Sequence, residues 1–206
     1  MNKGLIIIGA GGHGKVVADI AKQMNKWTNI SFLDDNESFT DFGEFEIVGK
    51  IESLYKFMNN YDVFVAIGSN KVRENVQNKL EIDGASIVSL VHPQAIIGTD
   101  VKFGIGTVIM AGVIINSSTT IGKGCIVNTA SSVDHDNIIG DFVHISPGTH
   151  LAGNVKIGKG AWLGVGSTVS NGLEICNDSK LGAGAVVIKN ILELGTYVGV
   201  PARKVE

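Results

Sequence analysis

The stretch "VIMAGVIINSSTTIGKGCIV", residues 108–127, carries a branched aliphatic residue every six positions: Ile109, Ile115, Ile121 and Val127. The same step extends both ways. It runs through Ile97, Phe103, Ile109, Ile115, Ile121, Val127, Val133, Ile139, Ile145, Leu151, Ile157, Leu163, Val169, Ile175, Leu181 and Val187, sixteen consecutive apolar residues. An amphipathic helix is excluded, because its apolar positions recur near 3.6 residues. Helical solenoids are excluded too, because their repeats exceed about 30 residues. The slot two residues before each marker is mostly small or β-branched, as at Thr107, Val113, Thr119, Cys125, Ser131, Thr149 and Ala161. Glycine often follows the marker, as in Ile97-Gly98, Ile121-Gly122 and Ile139-Gly140. These features predict a solenoid in which each hexapeptide gives one short strand and one turn. The aliphatic residue points inward, the small residue packs beside it, and glycine supplies the turn's backbone angles. Three hexapeptides make one triangular coil, so the run gives about five coils.

The chain before His92-Pro93 follows a different rule. Leu5–Ile8 reads as a buried strand, Ile30–Leu33 and Val63–Ile67 as two more, and Ile87–Val88 as a weak one. Helical spacing links Val16, Val17, Ile20, Ala21 and Met24, then Ile51, Leu54, Tyr55 and Met58, then Val72, Val76 and Leu80. Alternating strands and helices predict a small parallel α/β sheet. The boundary falls near residue 90, giving domains 1–90 and 91–206.

Composition narrows the classes. The 206 residues carry a net charge of −3 with no basic run longer than two, so nothing suggests a nucleic-acid binder. The apolar run Leu5–Ile8 is too short for a signal peptide, and no stretch approaches the roughly 20 residues of a membrane span. Two cysteines, Cys125 and Cys176, make no disulfide framework and point to a reducing cytoplasm. No cluster has metal-ligand spacing, so no metal is expected.

Two motifs carry chemistry. In "IIIGAGGHGK", residues 6–15, a strand leads through Gly9, Gly11 and Gly14 in the G-x-G-x-x-G pattern into a helix. Such a turn offers free N–H groups and the positive end of the helix dipole to a phosphate. Asp34 follows at the distance where a dinucleotide site places its ribose acid. The α/β half is nevertheless too short for a full dinucleotide fold and suits a mononucleotide diphosphate, which disfavours an NAD oxidoreductase. Phosphates are expected on Gly11, Gly12, His13 and Gly14, and base or ribose near Asp34 and Asp35. Asn70 and Arg73 lie at another strand's C-terminal edge, where open α/β sheets bind ligands. In the repeat, "VDHDN" sets His135 between Asp134 and Asp136. A neutral histidine suits a general base, and a neighbouring carboxylate can hold its ring. Either aspartate can serve.

The unbroken repeat, the ending "GTYVGVPARKV", and the segments "IIIGAGGHGKVVADI", "FLDDN" and "VDHDNIIGDFVHISPG" together resemble bacterial nucleotide-sugar acetyltransferases of the hexapeptide-repeat family. Similar proteins are the N-acetyltransferases of bacillosamine and perosamine synthesis and the sialic acid O-acetyltransferases. The resemblance implies an α/β Rossmann-like N-terminal domain that holds the acceptor's nucleotide, followed by a left-handed parallel β-helix. It implies acetyl-CoA as donor and a homotrimer with active sites between subunits. It assigns His135 as general base with Asp136 as its orienting carboxylate, and places Asn128 near the active site. His144 is expected at the acetyl end of the cofactor, with Ser146, Gly153 and Val165 along the pantetheine groove. The expected reaction is N-acetylation of the 4-amino group of a UDP- or GDP-linked deoxy amino sugar. Alternatives are O-acetylation of a sugar hydroxyl and a non-catalytic sugar-nucleotide-binding scaffold.

Overall fold

A computed structural model describes residues 3–36 and 43–205 of the chain. It divides into two compact units, Met1–Pro93 and Gln94–Glu206.

The first unit is a four-stranded parallel sheet. Its strands are β1 (Gly4–Ile8), β2 (Ile30–Leu33), β3 (Glu46–Gly49) and β4 (Tyr61–Val65), in the order β3-β2-β1-β4. Helix α1 (Gly12–Met24) follows β1, and α2 (Asn70–Ile82) follows β4. Strand β1 is buried along its whole length, which explains its unbroken apolar sequence. Three details depart from the sequence expectation. The segment Ile51–Lys56 is a 3-10 helix, not an α-helix. Its i, i+3 pair Ile51 and Leu54 both pack on the core, a spacing that three residues per turn also satisfies. Strand β3 lacks an apolar run and was not expected. Ile87 makes only an isolated bridge to Val63.

The second unit is the solenoid, a left-handed parallel β-helix. Its two-residue strands stack in register eighteen residues apart, as in Ile126 with His144 and His144 with Trp162. One face holds Ile114–Ile115, Ser132–Val133 and His150–Leu151. The next holds Thr120–Ile121, Ile138–Ile139 and Lys156–Ile157. The third holds Ile126–Val127, His144–Ile145 and Trp162–Leu163. The fourteen markers from Ile109 to Val187 are at most 3% exposed. Each such burial contributes about 1.5–3 kcal/mol. Ile97 differs, at 36% exposure in the first coil. At the far end, Thr196–Val198 joins Lys180–Leu181, and Arg203–Val205 returns antiparallel against it, covering a sheet edge.

The glycines behind the markers have another cause than the one expected. The left-handed corner residue lies three places after each marker, at six-residue steps from Asp100 to Gly184, and is often not glycine: Asp100, Ser118, Ala130, Asp136, Phe142, Asn154 and Asp178 all have φ between 55° and 62°. The glycine directly after the marker answers a steric demand of coil stacking. A Cβ at Gly104 or Gly140 would lie 2.6 Å from the backbone nitrogen of Lys123 or Lys159 in the next coil.

Candidate active site

His135 stands on the corner between Ser132–Val133 and Ile138–Ile139. Its Nδ1 lies 2.8 Å from Asp136 Oδ2, and both side chains are more than half exposed. Asp136 itself occupies the left-handed corner position, with φ 59°. A carboxylate only accepts, so the bond places the ring proton on Nδ1 and leaves the Nε2 lone pair as the basic site. Asp134 has a different task. Its Oδ1 accepts from the His135 backbone N–H (2.9 Å) and from Asn116 Nδ2 (2.8 Å). Of the two aspartates left open by sequence, Asp136 is the one on the ring. The Asp136 hydrogen bond, followed by the charge of Asp134, raises the His135 pKa above 6.5.

Gly153 lies one coil beyond His135. A Cβ there would sit 2.6 Å from His135 Cε1 and 2.7 Å from Nε2. The glycine thus makes room for the imidazole, a contact that the expected place along the pantetheine groove did not include.

A second cluster forms on the third face. His144, 9% exposed, lies with its Nε2 3.3 Å from Asn128 Nδ2, and its ring packs 4.9 Å from that of Trp162. Trp162 Nε1 donates to Ser146 Oγ at 3.1 Å. Asn128, His144 and Ser146 are therefore brought together, with Trp162 as a member that sequence reading missed. Its signal was available: it follows His144 by one coil, in an outward strand position. Val165 stands 55% exposed in the turn that follows.

In the first unit, α1 begins at Gly12 with Gly11 as its cap residue, so the first-turn N–H groups of Gly12, His13 and Gly14 have no intrahelical acceptor. Apart from its chain neighbours and the backbone of α1, no atom lies within 4 Å of a Cβ built on Gly11 or Gly12, so this loop is open to a ligand. Gly14 is buried, and a Cβ there would collide with the Gly9 carbonyl oxygen; it serves helix–strand packing more than ligand contact. His13 Nε2 is buried without a protein partner, and burial, then the Arg73 charge, lowers its pKa to about 4. Asp34 closes the glycine loop, with Oδ2 accepting from Ala10 N (2.6 Å) and Oδ1 from Asn36 N (2.8 Å). Asp35 accepts from Ile51 N (3.0 Å) and lines a cavity of about 730 Å³ with Ile51, Tyr55 and Lys79.

Arg73 requires correction as a substrate contact. It is fully buried, donating from Nη1 to the carbonyls of Ile67 (2.9 Å) and Gly68 (3.0 Å) and from Nη2 to Asn70 Oδ1 (2.8 Å). It shapes the loop after β4 and does not face solvent. Asn70, 9% exposed, is part of that same brace. Among the described residues, no group of three or more His, Cys, Asp or Glu could hold a metal ion. No helix among them is long and apolar enough to cross a membrane.

A parallel α/β unit with an open glycine turn, joined in one chain to a β-helix with a His–Asp pair on a corner, is the architecture expected of a hexapeptide-repeat acetyltransferase. Comparison with known proteins specifies the family. Residues 4–80 match the PglD N-terminal domain. The chain is 30% identical to GDP-perosamine N-acetyltransferase of Escherichia coli O157:H7, over 81% of this chain and 78% of that protein. It superposes on the acetyltransferase domain of PglB from Neisseria gonorrhoeae FA1090, solved in complex with acetyl coenzyme A, with a TM-score of 0.96 and 35% identity over 100% of both chains. It superposes on PerB from Caulobacter crescentus, solved in complex with CoA and GDP-perosamine, with a TM-score of 0.91 and 36% identity over 98% of this chain and 97% of that one. The chain belongs to the nucleotide-sugar N-acetyltransferase family.

Proposed function

We propose that this protein transfers the acetyl group of acetyl-CoA to the 4-amino group of a UDP- or GDP-linked deoxy amino sugar, with His135 as the general base. The observation that carries this reading is the 2.8 Å contact of His135 Nδ1 with Asp136 on an exposed corner, which leaves Nε2 as the basic nitrogen. The sugar amine attacks the thioester carbon, Nε2 takes the proton lost by the amine, the C–S bond breaks, and that proton passes to the departing sulfur so that CoA leaves as the thiol. His144, beside Asn128, or backbone N–H groups stabilise the oxyanion. Ser146 and Val165 line the cofactor's path. The open turn at Gly11 and Gly12, with the α1 N-terminus behind it, receives the diphosphate, and Asp34 and Asp35 lie on the ribose or base side. His13, neutral at pH 7, meets phosphate as a hydrogen-bond donor and not as a cation.

The assembly is a homotrimer. Exposed Ile96, Ile114 and Ile138 on the solenoid supply apolar surface for a subunit contact. The reaction takes place in the cytoplasm, in keeping with the free thiols of Cys125 and Cys176.

Thiol release from acetyl-CoA, measured with a panel of UDP- and GDP-linked 4-amino sugars, tests the substrate. Release with at least one of them and none with free sialic acid is expected. Release only with sialic acid would replace amine by hydroxyl acylation. Nucleotide binding with no release for any acceptor would leave a sugar-nucleotide-binding scaffold. The pH profile tests the base. Protonated His135 cannot accept a proton, so kcat/KM should fall as pH drops through a midpoint above 6.5. Asp136→Asn removes the main cause of the raised pKa and should move that midpoint down. An unmoved midpoint would detach the acid limb from this pair.

A further inference from the structure

The small slots of the repeat hold Ser, Thr, Cys, Val or Ala at most positions; residue 137 is an asparagine, fully buried. Elsewhere a slot hydroxyl ties one coil to the next. Thr107 Oγ1 donates to the Gly122 carbonyl (2.9 Å) and accepts from Cys125 N (3.1 Å). Thr119 Oγ1 donates to the Asp134 carbonyl (2.8 Å) and accepts from Asn137 N (3.2 Å). Asn137 does this and more. Its Nδ2 donates to the Ala152 carbonyl (3.0 Å) and to the Asp134 carbonyl (2.6 Å), while its Oδ1 accepts from Val155 N (2.7 Å).

Those partners bracket the two corners that meet at the imidazole. Asp134 directly precedes His135, and Ala152 directly precedes Gly153, whose missing Cβ gives the ring its place. Thr119 pulls on the same Asp134 carbonyl from the coil before. Asn137 is thus bonded at once to the corner that carries His135 and to the corner beneath its ring.

We infer that Asn137 is a positioning residue for acetyl transfer, holding the His135 corner and the Gly153 corner in one fixed geometry through its three bonds to Asp134, Ala152 and Val155. This rests on the reading of His135 as the base. A buried amide costs free energy unless every polar atom is paired, and here both amide atoms are. Misplacing a catalytic group by about 1 Å can cost on the order of 100-fold in rate.

The test compares Asn137→Val with Asn137→Thr. The slot already accepts both residue types, at Val113, Val143 and Val155 and at Thr107, Thr119 and Thr149, so both variants should fold. Asn137→Val removes all three bonds, and its kcat should fall roughly 10- to 100-fold, with KM for both substrates within about threefold of the parent. Asn137→Thr restores the bonds to Ala152 and Val155 that Thr107 makes to Gly122 and Cys125, and should recover kcat to within about fivefold. Thr107→Val, which removes a slot bond far from the pair, should leave kcat within about twofold whatever it does to thermal stability. Unchanged kcat in Asn137→Val would overturn the inference. So would an equal loss in Thr107→Val, because the loss would then reflect general softening; an equal loss in Asn137→Thr, which lacks only the Asp134 bond, would place the positioning role on that bond. His135→Ala, measured alongside, separates the two claims: full activity in that variant refutes the base itself, whereas an inactive His135→Ala beside a fully active Asn137→Val refutes only the positioning role.

Discussion

Replacement of His135 by alanine is expected to lower the acetyl-transfer rate by at least ~100-fold while leaving acetyl-CoA binding near that of the parent. The side chain is exposed and lies outside the aliphatic stack, so its loss creates no core cavity and the variant should keep its thermal midpoint. What it removes is the proposed acceptor for the amine proton. Without that acceptor the tetrahedral intermediate carries a protonated nitrogen, which departs more readily than the thiolate, and the complex reverts to reactants. Calorimetry of acetyl-CoA binding and single-turnover thiol release separate binding from chemistry. Unchanged turnover would remove His135 from the base role.

Gly153→Ala is expected to have an effect of similar kind, a roughly 10- to 100-fold lower kcat, through a single methyl group. That methyl would stand 2.6 Å from Cε1 and 2.7 Å from Nε2 of His135, closer than packed atoms come, and against the nitrogen proposed to accept the proton. The ring must rotate away, and its contact with Asp136 is strained or lost. Two readouts distinguish this from a blocked pantetheine groove. If the ring is displaced, KM for acetyl-CoA stays within about threefold and the acid-limb midpoint moves down toward 6.5. If the groove is blocked, KM for acetyl-CoA rises and the midpoint stays.

The repeat was legible because its period is local. One aliphatic residue in six states which side chains enter the solenoid, and from Ile109 onward every one is buried. The His135–Asp136 pair was legible for the same reason, since its members are neighbours in sequence. What escaped depends on contacts one coil away. Gly153 and Trp162 each stand eighteen residues from the histidine they touch, and that offset acquires meaning only once coils are known to stack in register. Asn137 is not singled out by the slot pattern, although a polar residue where the pattern calls for a small one is itself a signal. Arg73 is a candidate from its place at a strand's C-terminal edge, a position that does not reveal that the carbonyls of its own loop occupy the guanidinium. The 3-10 helix at Ile51–Lys56 shows the limit of pattern in short segments: i, i+3 spacing fits two helix types.

The role proposed for His135 is to deprotonate the amine of a nucleotide-linked sugar during direct acetyl transfer. It is tested most directly by a crystal structure of the protein with CoA and a UDP- or GDP-linked 4-amino sugar that it turns over. The sugar nitrogen is expected about 2.6–3.2 Å from His135 Nε2, with Asp136 still on Nδ1. A sugar nitrogen out of reach of His135 and placed against another side chain would contradict it.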